Sequence, residues 1–203
     1  YVFDLSSRKY YAYNNLNQYE EFGLYPEVNT LKVAGGGVTE IEYIATMQSV
    51  GTHPFINTNY IPKANTKIKM DVDIENSTEK GWMAVFGARQ GGWTSHAFVL
   101  FARAFDNQRG CYNRTGDEHQ ADSDIPRNQR MTIEALGKNC TFTLAGESSP
   151  AVTITTNDNS IIEDCTNNLF IFDTNTGGAG EDKRDNSYVY MKLYGCEIYE
   201  GET

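Results

Sequence analysis

The chain is poor in the residues that usually announce chemistry. Its 203 residues include 4 cysteines, 3 histidines, 2 tryptophans and 5 prolines. No apolar run approaches the ~18 to 20 residues that a membrane-crossing helix needs, so no bilayer-spanning segment is expected. Cys111, Cys140, Cys165 and Cys196 are too widely spaced for a disulfide scaffold, and no Cys-x-x-Cys pair points to zinc or dithiol chemistry. They read first as small buried hydrophobes, most clearly Cys140 and Cys196, which alternate with Phe142 and Ile198. In an exported protein, disulfides would remain open in any of three full pairings. His53, His96 and His119 form no His-x-x-x-His pair, and a Gly-x-Ser-x-Gly elbow is absent. The glycine runs at 35–37, 91–92 and 177–180 lack the Gly-Lys-Ser/Thr of a phosphate loop. No segment rich in Ala, Leu and Glu keeps a helical period.

Acid outweighs base by 27 to 17, for a formal net charge of −10. Such a surface repels phosphate backbones and disfavours a nucleic-acid partner. The 18 glycines, with abundant Asn, Thr and Asp, supply turns for many short strands. The length suits one large all-β domain. The first residue is Tyr1 and no signal-type apolar core follows, so the expectation is a mature or trimmed chain lacking its targeting segment.

Residues 1–37 differ in composition, with Tyr10-Tyr11-Ala-Tyr13 and a closing Gly35-Gly36-Gly37, and read as an N-terminal arm or the remnant of a preceding module. Residues 38–203 read as the domain itself. Its clearest alternation is Lys67 to Glu75, where Ile68, Met70, Val72 and Ile74 share one face and Lys69, Asp71, Asp73 and Glu75 the other. Met83–Ala88 and Ala97–Ala104 are nearly continuous in apolar residues, as strands buried at a sandwich centre are. Met131–Leu136 and Thr141–Ala145 predict a hairpin around Gly137-Lys-Asn139. Val152–Thr155, Leu169–Phe172 and Tyr188–Tyr199 complete about ten predicted strands.

Phe55-Ile-Asn-Thr…Tyr60-Ile-Pro, Phe86-Gly-Ala-Arg89, the hairpin near residue 138 and the closing Met191-Lys-Leu-Tyr-Gly-Cys-Glu-Ile-Tyr199 together resemble the bacterial laminin-G-like branch of the concanavalin A-like lectin/glucanase superfamily. The resemblance covers roughly residues 39 to 200. It implies a two-sheet antiparallel jelly roll, extracellular or at the cell surface, with an oligo- or polysaccharide or a protein ligand at a concave face or rim loops. A non-catalytic carbohydrate-binding or adhesion module of an exported bacterial protein is the leading expectation, beside a glycoside hydrolase and a structural or protein-binding spacer.

Three groups of residues could carry such functions. Trp93 and His96, with Arg89 before them and Tyr112, Asn113 and Arg114 beyond the next strand, suit sugar binding, because aromatic rings stack on sugars while Arg, Asn and His bond hydroxyls. The alternative is that Trp93 folds back as a lid on the sheet edge and Arg89 pairs locally. Asp71, Asp73 and Glu75 form a carboxylate row similar to that of laminarinase-type glucanases, with Asp in place of the first Glu. A retaining enzyme needs two carboxyls ~5 to 5.5 Å apart, a spacing that only neighbours such as Asp73 and Glu75 could approach. A solvated strand face interleaved with Lys67 and Lys69 explains the same row. No cofactor is expected, although Asp173, Glu181, Asp182 and Asp185, or Gly116 to Asp124, could offer oxygens to calcium. Neither loop has EF-hand spacing, and both also read as ordinary hydrophilic loops.

Overall fold

The computed structural model describes the backbone of residues 2–4, 9–13, 19–21, 28–34, 39–44, 55–76, 81–90, 96–103, 108–116, 119–156, 161–177 and 189–201, with side chains from residue 55 onward except at 103. Strands are the only regular elements among these residues. In chain order they are β1 (Val2–Asp4), β2 (Lys9–Tyr13), β3 (Tyr19–Glu21), β4 (Val28–Ala34), β5 (Thr39–Ile44), β6 (Ile56–Asn57), β7 (Thr66–Ile74), β8 (Met83–Arg89), β9 (Ala97–Arg103), β10 (Cys111–Asn113), β11 (His119–Gln120), β12 (Arg130–Leu136), β13 (Asn139–Leu144), β14 (Val152–Thr155), β15 (Phe170–Ile171) and β16 (Met191–Glu200).

Two large sheets form the body. One has seven strands in the order β14-β13-β12-β7-β16-β4-β5, and the other six in the order β11-β10-β9-β8-β15-β6. β1 to β3 make a separate three-stranded sheet. Neighbours are antiparallel except β4 and β16, which run parallel from Leu31 opposite Cys196 to Ala34 opposite Tyr199. The last strand of the chain is thereby flanked by β7 on one side and by a strand from the first 37 residues on the other.

The sheets face each other across one core, which makes a β-sandwich. β7 contributes Ile68, Met70, Val72 and Ile74, all fully buried as their alternation predicts, and they meet Val85, Phe98 and Leu100 from the opposite sheet. Phe142, Leu193 and Ile198 join the same cluster. Burying each such side chain contributes about 1.5 to 3 kcal/mol, so the stripes of β7 and β9 fix which face of each sheet turns inward.

β8 and β9 read as continuous apolar runs because both of their faces are covered. Behind the main core, Trp82, Ala84, Ala97, Val99, Phe101 and Cys111 form a second buried cluster on the outer face of the six-stranded sheet. Phe170 belongs to that outer side, opposite Gly87 in register and stacked on Phe55 at 4.4 Å, while its neighbour Ile171 enters the main core. At Phe172 the backbone takes φ 72°, unusual for a non-glycine residue, and the chain leaves β15. It then runs beside β8, where Asn175 bridges Ala88 and the Thr174 side chain sits over Gly87. A methyl group at Gly87 would lie 2.6 Å from Thr174 Oγ1, so only glycine fits.

Candidate functional site

Of the residues with sugar-binding chemistry, Arg89, His96, Tyr112, Asn113 and Arg114 are described, and they divide between the two faces of the six-stranded sheet and its edge. Asn113 pairs with Val99 and Arg89 with Ala97, which places both on the outer face of the six-stranded sheet. Tyr112 pairs with Leu100 and points into the main core, where its hydroxyl donates to the Gly137 carbonyl at 2.9 Å. All four of Arg89, Tyr112, Asn113 and Arg114 are buried. β10 is a strand, and its alternation sets Tyr112 and Asn113 on opposite faces of the sheet.

Arg114 works as an internal tie. Its guanidinium donates to the carbonyls of Ala97 at 2.9 Å, of Glu163 at 3.2 Å and of Lys63, and it lies 4.8 Å from the centre of the Phe98 ring. The turn before β7, the start of β9 and the segment before β15 are joined through this one cation. His96 is half-buried beside the same segment. Its Nδ1 lies 2.8 Å from the Asp164 carbonyl, an acceptor, so Nδ1 carries the hydrogen, and Nε2 lies 3.7 Å from the Glu163 carboxylate. The Ala64 amide, donating to Asp164 at 2.7 Å, holds that carboxyl below its ordinary range, and Lys63 acts in the same direction. Trp93, Glu181, Asp182 and Asp185 lie outside the described residues. Asp173 is buried and accepts from the Thr174 amide at 2.7 Å. Among the described residues no group of three His, Cys, Asp or Glu side chains is placed to hold a metal ion.

The outer face of the seven-stranded sheet is different, because polar and aromatic groups there remain accessible. Asp71 and Asp73 project from it, as the alternation of β7 dictates. Arg130 of β12 stands opposite Asp73, and its Nε and Nη2 fork onto the two oxygens of Asp71 at 2.9 and 2.7 Å. On the other side of β7, the β16 ladder slips between Leu193 and Gly195, so that Tyr194 and Gly195 together oppose Asp71. This is a β-bulge, a device that re-aims a side chain. Tyr194 meets Arg130 with the guanidinium carbon 4.3 Å from the ring centre. Because β7 separates their strands, this contact spans the strand between Asp71 and Asp73.

A gap borders the pair. A methyl group at Gly195 would find nothing nearer than the Asp71 Cβ at 4.0 Å. Asp73 Oδ1, on the same sheet face, is buried beneath its neighbours and accepts no hydrogen bond from any described residue. Lys192, opposite Asp73 on β16, lies 3.8 Å from Glu75 Oε1, and Lys67 pairs with Glu134 at 3.0 Å. The arrangement offers an aromatic ring, a fixed cation, carboxylate acceptors and a side-chain-free position within one open patch. Sequence reasoning identified the carboxylates but missed Arg130, Tyr194 and Gly195. The available signal was the three-residue step between Leu193 and Cys196, which breaks the period of two.

All four cysteines are buried, and Cys140, Cys165 and Cys196 are free thiols. Burial pushes the thiols of Cys140 and Cys196 far up and that of Cys165 up to about 11, the last partly offset by Arg114. No protein-family model matches the chain, and none of the curated proteins matches it.

Proposed function

We propose that the chain is a concanavalin A-like, laminin-G-like jelly roll acting as a non-catalytic carbohydrate-binding or adhesion module of an exported bacterial cell-surface protein, with its saccharide on the outer face of the seven-stranded sheet. The observation that carries the reading is the bulge at Tyr194. It sets an aromatic ring beside a side-chain-free gap and next to hydrogen-bonding groups already held in place by one another. Sugar recognition uses such a combination, an apolar ring face to stack on and rigid polar groups for hydroxyls. The forked Arg130–Asp71 pair favours binding over bond cleavage, because it commits one carboxylate of the row to a structural partner. The exported location rests on the resemblance in strand pattern.

A glycan array probed with the purified chain tests the proposal. Retention of a saccharide by the chain, lost when Tyr194 becomes alanine, is the expected result. An array with no bound glycan, or one bound equally by Tyr194→Ala, would contradict it.

A further inference from the structure

We infer that the ligand of this face is an internal stretch of a linear polysaccharide, laid along β16 with one sugar against Tyr194 and another against Tyr199. This inference rests on the saccharide-binding reading above and deepens it. Positions 194 and 199 are five apart, an odd step that in a regular strand sends side chains to opposite faces. The bulge between Leu193 and Gly195 cancels the mismatch. Met191, Leu193, Cys196 and Ile198 enter the core, so Lys192, Tyr194, Glu197 and Tyr199 all face outward. Both tyrosines remain partly exposed, and both are held in place. Tyr194 has the Arg130 guanidinium carbon 4.3 Å from its ring centre, and Tyr199 donates its hydroxyl to Glu197.

The distance between the rings sets the length of the ligand. Gly195, in the bulge, stands opposite Asp71 and Tyr199 opposite Lys67, which separates them by ~13 Å of backbone rise. A pyranose unit built of bonds ~1.5 Å long advances a chain by roughly 5 Å, so one sugar cannot reach both tyrosines and a run of about three to four can. Along β16 between the rings, Gly195 has no side chain and Glu197 is turned to Tyr199. The charges around them stand in pairs of opposite sign, Arg130 with Asp71 at 2.7 Å, Lys67 with Glu134 at 3.0 Å and Lys192 with Glu75 at 3.8 Å. Charges so balanced suit a hydroxyl-rich polymer with none of its own. Two stacking points on one ligand act as linked sites, so affinity climbs with chain length until both are covered.

Calorimetric titration with cello-, manno- and laminari-oligosaccharides, each from one sugar to six, tests the inference. The parent chain is compared with Tyr199→Ala and Tyr199→Phe, with melting temperatures measured alongside. In at least one series the parent should bind four sugars tenfold or more tighter than two, with little gain beyond. Tyr199→Ala should hold the longest chain no better than it holds the disaccharide, whereas Tyr199→Phe, which keeps the ring, should keep the length dependence. A single sugar bound by the parent as tightly as six would overturn the inference without any variant being needed. A length dependence unaltered in Tyr199→Ala would also overturn it, and either result leaves the saccharide reading standing. Absence of binding in every series would overturn the inference, and an empty glycan array besides would remove the saccharide reading with it.

Discussion

Arg130 and Tyr194 meet across a strand that belongs to neither of them. The guanidinium carbon lies 4.3 Å from the ring centre, although β7 runs between β12 and β16. Neighbouring strands are ~4.8 Å apart, so two long side chains must lean over β7 to make the contact. Asp71 fixes the arginine from below through two hydrogen bonds. An exposed pair of this kind adds only about 0.2 to 1 kcal/mol to stability, so its value lies in orientation.

The two sheet glycines should respond in opposite ways to alanine. At Gly87 the added methyl would press on the Thr174 side chain at 2.6 to 2.9 Å, and Gly87→Ala should cost roughly 1 to 3 kcal/mol through overpacking. At Gly195 the nearest atom is 4.0 Å away, and Gly195→Ala should change stability by less than about 0.5 kcal/mol. Urea unfolding of both variants checks this. Equal losses would contradict the assignment of Gly87 to close packing and Gly195 to an open gap.

Arg114→Met should destabilise the fold by about 2 to 5 kcal/mol, because the carbonyls of Ala97, Glu163 and Lys63 lose a buried donor together. Arg114→Lys should recover little of this, since one ammonium group cannot reproduce a planar fork aimed at several acceptors. Chemical denaturation of the two variants measures the difference. A lysine variant as stable as the parent would reduce Arg114 to a simple point charge.

Alkaline pH should unfold the protein earlier than neutral pH. Burial raises Cys165 from 9.0 to about 11, and Cys140 and Cys196 further. Tyr60 rises to about 12 chiefly through burial, and Tyr199 to about 12 chiefly by donating to Glu197. These groups keep their protons longer in the folded chain than in the unfolded one. Their contribution is complete below the unfolded values and is lost as pH rises through the folded ones. Stability should therefore fall from about pH 9 through 11 to 12, and Cys165→Ala should flatten the first part of that decline. Melting temperatures that stay flat across this range would show that these groups are not shielded in solution.

The sequence carried the fold further than the site. Ile68 to Ile74 alternate so regularly that the inward face of β7, and with it the outward carboxylates, is legible in the residue pattern alone. The apolar runs of β8 and β9 announced burial on both faces. The short β10 was harder to read. Tyr112, Asn113 and Arg114 read in the sequence only as polar residues beyond a strand, and the pairing of β10 with β9 is what sets Tyr112 and Asn113 facing opposite ways. Arg114 lies inside because backbone carbonyls, which leave no mark in a sequence, provide its acceptors. The Arg130–Tyr194 contact was hidden for a related reason, since it depends on β12 and β16 both pairing with β7 and on a one-residue slip in the β16 ladder.

The central claim, that the Tyr194 patch is a saccharide-binding face, is tested most directly by calorimetric titration of the parent chain and Tyr194→Ala with the glycan best retained on an array. Loss of the aromatic contact should weaken binding by about 1 to 3 kcal/mol, roughly five- to 150-fold, with the melting temperature little changed and the glycan recovered uncleaved. Equal dissociation constants for the two proteins, or a Tyr194→Ala variant that binds less only because it has unfolded, would contradict it.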